Sequence, residues 1–244
     1  MATPLERQLV DGERAIWVSP TLRALGVPHG FTTRSSWDGG AIDEHLAAGL
    51  DVPAPTPVAS LRQVHGALVH RLGVEPPGPE TCGDALVSDR PGHLLLVRTA
   101  DCVPILLSSS DGRRVAAVHA GWRGLVAGVV PAALEALGEA ACLAAVGPCL
   151  SLARFEVGPE VARAFASAGL ADAVRADGPG RPHVDLRLAA RLQLERGGAT
   201  AVDVSDRCTW DDPELFSHRR DVTHGGRSST GRLGALIAPR ARRR

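Results

Sequence analysis

The 244-residue chain has no tyrosine, one methionine, and no apolar run near the ~20 residues that a membrane-spanning helix needs. A spanning helix is therefore excluded. The first eighteen residues carry Glu6, Arg7, Asp11, Glu13 and Arg14 and no apolar signal-peptide core. No secretory leader is expected, and the expected location is cytoplasmic. Net charge is also missing: 27 basic residues balance 27 acidic ones, without the basic excess of a dedicated nucleic-acid binder. The local exception is the Arg-rich C-terminus, where residues 239–244 read as a frayed basic tail. The five cysteines, Cys82, Cys102, Cys142, Cys149 and Cys208, are odd in number and irregularly spaced. That excludes a disulfide framework and leaves free thiols or a metal ligand in a reducing compartment. There is no internal repeat and no long linker, so residues 1–244 read as one domain.

What is present centres on Leu94 to Trp122. Leu94–Val97 and Val103–Leu107 read as strands, Ser108–Arg114 as a turn and Val115–Val118 as a strand. A hairpin pivoting between Ser110 and Asp111 puts Cys102 opposite His119, where a thiolate and an imidazole can share a metal or a proton. Pro104 cannot donate to a ladder, so this strand is predicted to be an edge or bulged. Leu61–Val69 reads as a short strand with His65 near one end, Asp84–Ser88 and Ala144–Leu150 as strands, and Asp51–Ser60 as an exposed connector. Leu125–Leu137 reads as a helix either kinked at Pro131 or starting there, and Pro159–Ala168 as a second helix. Leu186–Arg196 is a third, with Asp185 as N-cap and Gly197 beyond its end. Val202–Val204 and Leu233–Ala238 complete the strands. Without strict βαβ alternation, the pattern predicts an α/β (α+β) sandwich of mixed sheets.

His65, Cys102 and His119 each end an apolar segment beside small residues. Two histidines and a cysteine suit zinc with a fourth position open, the arrangement of catalytic sites. On spacing alone, buried packing is the commoner reading of such a His–Cys pair. Arg34, Arg62 and Arg123 sit in or beside these motifs and could hold phosphate, or make ordinary ion pairs. Asp84 could bind substrate, orient a ligand histidine or act as a base; Asp101 reads as a strand-end cap. Cys149 reads as a small buried thiol, Trp122 as a purine platform or core residue, and Thr223–Gly231 as a loop.

The segments LRQVHG, GDALVSDRPG, RTADCVPILL, VAAVHAGWRG, AAVGPCLSLARFEVG, VDLRLAARLQLE and FSHRRD occur in this order. They resemble the YfiH family, also called the multicopper polyphenol oxidase or laccase-domain family and described as purine nucleoside phosphorylases. The resemblance implies a single-domain layered sandwich of mixed β-sheets flanked by helices. It implies one zinc on His65, Cys102 and His119, phosphorolysis of adenosine, inosine or methylthioadenosine, and adenosine deamination. Small nucleosides and phosphate are then the partners, and the chain is expected to be a monomer. Two departures stand out. Residues 35–60 are short and read as lacking the family's helix, and Val222–Ser229 lengthens the loop after FSHRRD. Competing readings are a copper polyphenol oxidase, a metal-free thiol hydrolase using Cys102 with His119 as base, and a binding protein without activity.

Overall fold

The two apolar runs at the centre of the chain form a hairpin, β8 (Val103–Ser109) and β9 (Val115–Ala120). Ser109 and Gly112 close its turn: Gly112 N–H donates to the Ser109 carbonyl (3.0 Å), and Gly112 takes a φ of +77°. The pivot therefore falls one residue later than the sequence suggests, and Pro104, not Cys102, stands opposite His119. Cys102 lies just outside the strand. Nor is β8 an edge. It lies between β9 and β10 (Cys142–Val146). Pro104 is tolerated there because pairing with β10 ends at Ile105–Val146, so no ladder bond from its nitrogen is needed.

This computed structural model describes residues 3–78, 80–139, 141–176 and 180–241. One six-stranded sheet runs β13 (Ala199–Val204), β10, β8, β9, β6 (Ala85–Ser88), β5 (Val69–Arg71). The other runs β1 (Glu6–Leu9), β2 (Ala15–Val18), β3 (His29–Thr32), β14 (Leu233–Ile237), β7 (Leu94–Thr99), β4 (Val58–Ser60). Both are mixed: β4 runs parallel to β7, and β13 and β5 run parallel to their neighbours. A two-stranded ribbon, β11 (Val174–Arg175) with β12 (His183–Val184), lies apart.

The sheets pack face to face because residues on their strands alternate between two apolar environments. Phe31, Leu95, Val97 and Ile237 meet Leu86, Leu106 and Ala117 between the sheets. Ile105, Val118 and Val146 face the opposite way, onto α3 (Trp122–Ala127), α4 (Val129–Leu137), α5 (Pro159–Ser167) and α6 (Leu186–Arg196). Leu94, Leu96 and Leu236 pack outward on Trp37 and on Leu46 of α2 (Glu44–Gly49). This is the layered mixed-sheet sandwich flanked by helices that the sequence suggests.

α6 has the expected limits, with the Asp185 carboxylate accepting from Leu188 N–H. The helix read over 125–137 is broken at Gly128 (φ +84°), which ends α3 and starts α4 with Pro131 in the first turn. Short α1 (Pro20–Leu25) and α2 escaped the sequence reading. α2, capped by Asp43, lies inside the segment read as lacking a helix. Part of the basic tail is tied down, because Arg240 N–H donates to the Gly112 carbonyl. Residues 242–244 lie outside the described residues. All five cysteines are free thiols, and among the described residues no helix is long and apolar enough to cross a membrane.

Candidate metal site and cavity

The ends of β7 and β9 and the start of β8 meet at one rim of the sandwich, and loops from elsewhere close over it. His119 comes from β9, Cys102 from the turn before β8, and His65 from the β4–β5 connection. His65 is not on a strand. Its φ is +59°, a left-handed conformation that a non-glycine residue holds only when its surroundings enforce it. The enforcing group is Asp84, which is fully buried. Its Oδ1 accepts from His65 N–H (2.9 Å), and its Oδ2 accepts from the N–H groups of Gly66 (2.7 Å) and Val64 (3.3 Å).

Asp84 Oδ1 also lies 2.8 Å from His119 Nδ1. Burial would raise the Asp84 pKa, but hydrogen bonds from His119, Gly66 and His65 outweigh it and hold the carboxyl below its ordinary value. An ionised carboxylate only accepts, so Nδ1 carries the proton and Nε2 is left as the ligand atom. Asp84 thus orients one histidine through its ring and the other through its backbone.

The imidazole nitrogens of His65 and His119 and the Cys102 thiol lie within 4.8 Å of one another. The two rings meet edge to face, with centroids 4.8 Å apart at 83°. Gly121 permits this approach: a Cβ there would sit 3.0 Å from His65 Cδ2 and 3.2 Å from Cys102 Sγ. Burial pushes the Cys102 thiol up, but hydrogen bonds from His119 and His65 bring it down to about 7. Burial likewise opposes charge on His119, yet Asp84 and Cys102 push its pKa up to about 9. Without metal the pair is a thiolate beside an imidazolium between about pH 7 and 9, and the thiolate is the form that can ligate.

The three side chains line a cavity of about 580 Å³, a size that suits a small metabolite. Trp122 and Phe155 supply aromatic surface, and Arg98, Arg219 and Arg232 supply positive charge. Arg219 follows His218 in a single π-helical turn, Arg219–His224, where the sequence suggested only the approach to a loop. Asp101, next to Cys102, ties that turn to the His–Cys–His group. It does not cap a strand end: its Oδ2 accepts from Arg219 N–H (2.7 Å) and its Oδ1 from the Thr209 hydroxyl (2.7 Å). Its φ of +94° is a second left-handed non-glycine conformation beside the site. Gln63 joins the His65 loop to β7 by a paired bond. Its amide donates to the Arg98 carbonyl (2.7 Å), and its oxygen accepts from Arg98 N–H (2.8 Å).

The arginines singled out from sequence do not line this cavity. Arg34 lies over Phe216 beside a separate hollow. Arg62 donates to the Cys82 sulfur (2.7 Å) and faces Glu80. Arg123 covers the Trp122 ring, 4.4 Å from its centroid. Arg98, Arg219 and Arg232 were the arginines missed, although RTADC and FSHRRD already contained the first two. Cys149 is buried, as read.

A layered sandwich with a His–Cys–His group able to hold one metal ion, set in a cationic cavity, defines the class. Residues 42–240 match the family model described as multi-copper polyphenol oxidoreductase laccase, and the chain belongs to that family. A purine nucleoside phosphorylase of Deinococcus radiodurans is 36% identical over 247 residues, covering 89% of this chain and 92% of the relative. The purine nucleoside phosphorylase YfiH of Escherichia coli K12 is 38% identical over 191 residues, covering 75% and 74% respectively. The crystal structure of Bacillus licheniformis YfiH shares the fold, with a TM-score of 0.79 at 21% identity over 96% of this chain and 98% of the other.

Proposed function

We propose that this chain is a zinc-dependent purine nucleoside phosphorylase acting on adenosine, inosine or methylthioadenosine. The observation that carries the reading is one cavity with a His–Cys–His group on one side and arginines and aromatic rings around the rest. The relatives' names support the reaction type. His65, Cys102 and His119 would hold the zinc. The donor set fits: a thiol already biased to thiolate, one imidazole with its Nδ1 proton pinned by Asp84, and a second imidazole on a loop fixed by the same carboxylate. Bound there, zinc supplies Lewis acidity at the substrate.

The remaining roles fall to the chain itself. Trp122 and Phe155 offer faces on which a purine can stack. The cavity arginines hold hydrogen phosphate against the ribose. A phosphate oxygen bonds to the anomeric carbon as the glycosidic carbon–nitrogen bond breaks. The proton of hydrogen phosphate ends on the released purine, so the products are free base and ribose 1-phosphate, or 5-methylthioribose 1-phosphate from methylthioadenosine. Adenosine deamination, in which water bonds to the purine carbon bearing the amino group and ammonia leaves to give inosine, is a second reaction the same site would support.

Copper is the poorer fit. Among the described residues this is the one group of three or more metal-capable side chains, whereas a multicopper oxidase needs several. A helix, α2, does lie in the segment read as lacking one, although the segment is still short. Metal content, together with nucleosides incubated with and without phosphate and read by mass spectrometry, tests the proposal. Zinc and phosphate-dependent ribose 1-phosphate are expected. Activity that survives a chelator would favour the thiol hydrolase.

A further inference from the structure

We propose that Arg98 and Thr99, at the end of β7, form the phosphate subsite, with Arg98 as the principal ligand. The assignment rests on the phosphorylase reading above and adds the residues that hold the second substrate. Three arginines line the cavity, and their donors are differently engaged. Arg219 gives one guanidinium nitrogen to the carbonyls of Glu156 (2.8 Å) and Arg154 (3.3 Å). Arg232 gives one to the carbonyls of Thr230 (3.0 Å) and Gly231 (3.2 Å) and is solvent-exposed. Among the described residues, the half-buried guanidinium of Arg98 has neither a hydrogen-bond acceptor nor a carboxylate partner. Its protein neighbour is the Trp37 ring, 5.8 Å from Cζ, which backs the side chain without using its donors.

The second observation is independent of charge. The Thr99 hydroxyl is buried and has no hydrogen-bond partner, and Thr99 is 2% exposed on the same cavity wall. A buried hydroxyl left in this state costs about 1–3 kcal/mol, so it marks a place where a partner is missing. Consecutive strand residues point to opposite faces, yet a ligand seated off the strand end can be met by both. The Gln63 clamp fixes the Arg98 backbone, so the guanidinium starts from a rigid base. The wall's one carboxylate, Asp101, has both oxygens occupied by Thr209 and Arg219, which leaves the Arg98 charge without a competing acid. Five N–H donors on a free guanidinium plus one hydroxyl suit a tetrahedral oxyanion.

The test is phosphate saturation of inosine cleavage in the zinc-loaded wild type, Arg98→Met, Arg98→Lys and Thr99→Val. Arg98→Met is expected to raise the KM for phosphate at least tenfold while the KM for inosine stays within twofold and zinc content is unchanged. Arg98→Lys should recover part of the loss, and Thr99→Val should raise the phosphate KM severalfold. Cleavage that needs phosphate in the wild type, with an unchanged phosphate KM in Arg98→Met, overturns this assignment alone. Wild-type cleavage that is indifferent to phosphate overturns the phosphorylase reading and the subsite with it.

Discussion

Replacing Asp84 by asparagine keeps the shape of the side chain but turns one of its two acceptor oxygens into a donor. Oδ1 serves His65 N–H and His119 Nδ1–H, and Oδ2 serves the N–H groups of Gly66 and Val64. Whichever way the amide turns, two donors lose their acceptor. At about 1–3 kcal/mol for each buried unsatisfied group, the fold should lose about 2–6 kcal/mol, a large part of a domain's usual 5–15. Zinc affinity should fall about 10–100-fold, because one orientation of the amide strips the acceptor from His119 Nδ1–H and His65 N–H, and the other strips it from Val64 and Gly66, which hold the His65 loop on either side. The sign with pH follows from the depressed Asp84 pKa. Its contribution is present above the unfolded carboxyl value of 3.8 and is lost as pH falls through the lower folded value. Asp84→Asn should lack that acid branch. Urea melts from pH 3 to 8 and chelator competition for zinc measure both effects. Stability within 0.5 kcal/mol of wild type together with unchanged zinc affinity would refute the role given to Asp84.

Gly121→Ala should displace His65 or Cys102, since its Cβ would stand 3.0 and 3.2 Å from them, and bound zinc should drop in elemental analysis while the melting temperature changes little. His65→Ala and Cys102→Ala should each lose most bound zinc. His70→Ala and His93→Ala should not, as neither belongs to the ligand group. In metal-free protein, iodoacetamide should alkylate Cys102 with a midpoint near pH 7, against 9.0 for an unperturbed thiol, and zinc should protect it. The thiolate contributes stability above 9.0 that is lost as pH falls through about 7. The His119 imidazolium contributes below 6.5 and is lost as pH rises through about 9. A midpoint near 9 would remove the thiolate–imidazolium pair.

Local chemistry made parts of the molecule legible. The limits of α6 follow from Asp185 and its neighbours, and Pro131 marked a real boundary, though Gly128 made it. The His–Cys–His group was reachable because each member ends an apolar segment, but spacing alone favoured packing. The loop conformation of His65 could not be read, because Asp84, nineteen residues away, imposes it. The hairpin pivot slipped by one residue because Gly112 takes the positive φ that closes the turn. The cationic wall was hidden most deeply. Arg98 and Arg219 are far apart in sequence, and Asp101, read as a strand cap, is the residue that draws the Arg219 turn to the cavity. Arg34, Arg62 and Arg123 sit in or beside motifs, yet they spend their charge on Phe216, Cys82 and Trp122.

The most direct test is to incubate zinc-loaded protein with inosine and isotopically labelled phosphate and identify the sugar product by mass spectrometry. Ribose 1-phosphate carrying the label, formed only with phosphate present and abolished by Cys102→Ala, is the expected result. Unlabelled ribose, or no sugar release beside copper-dependent oxidation of a phenol, would contradict the account.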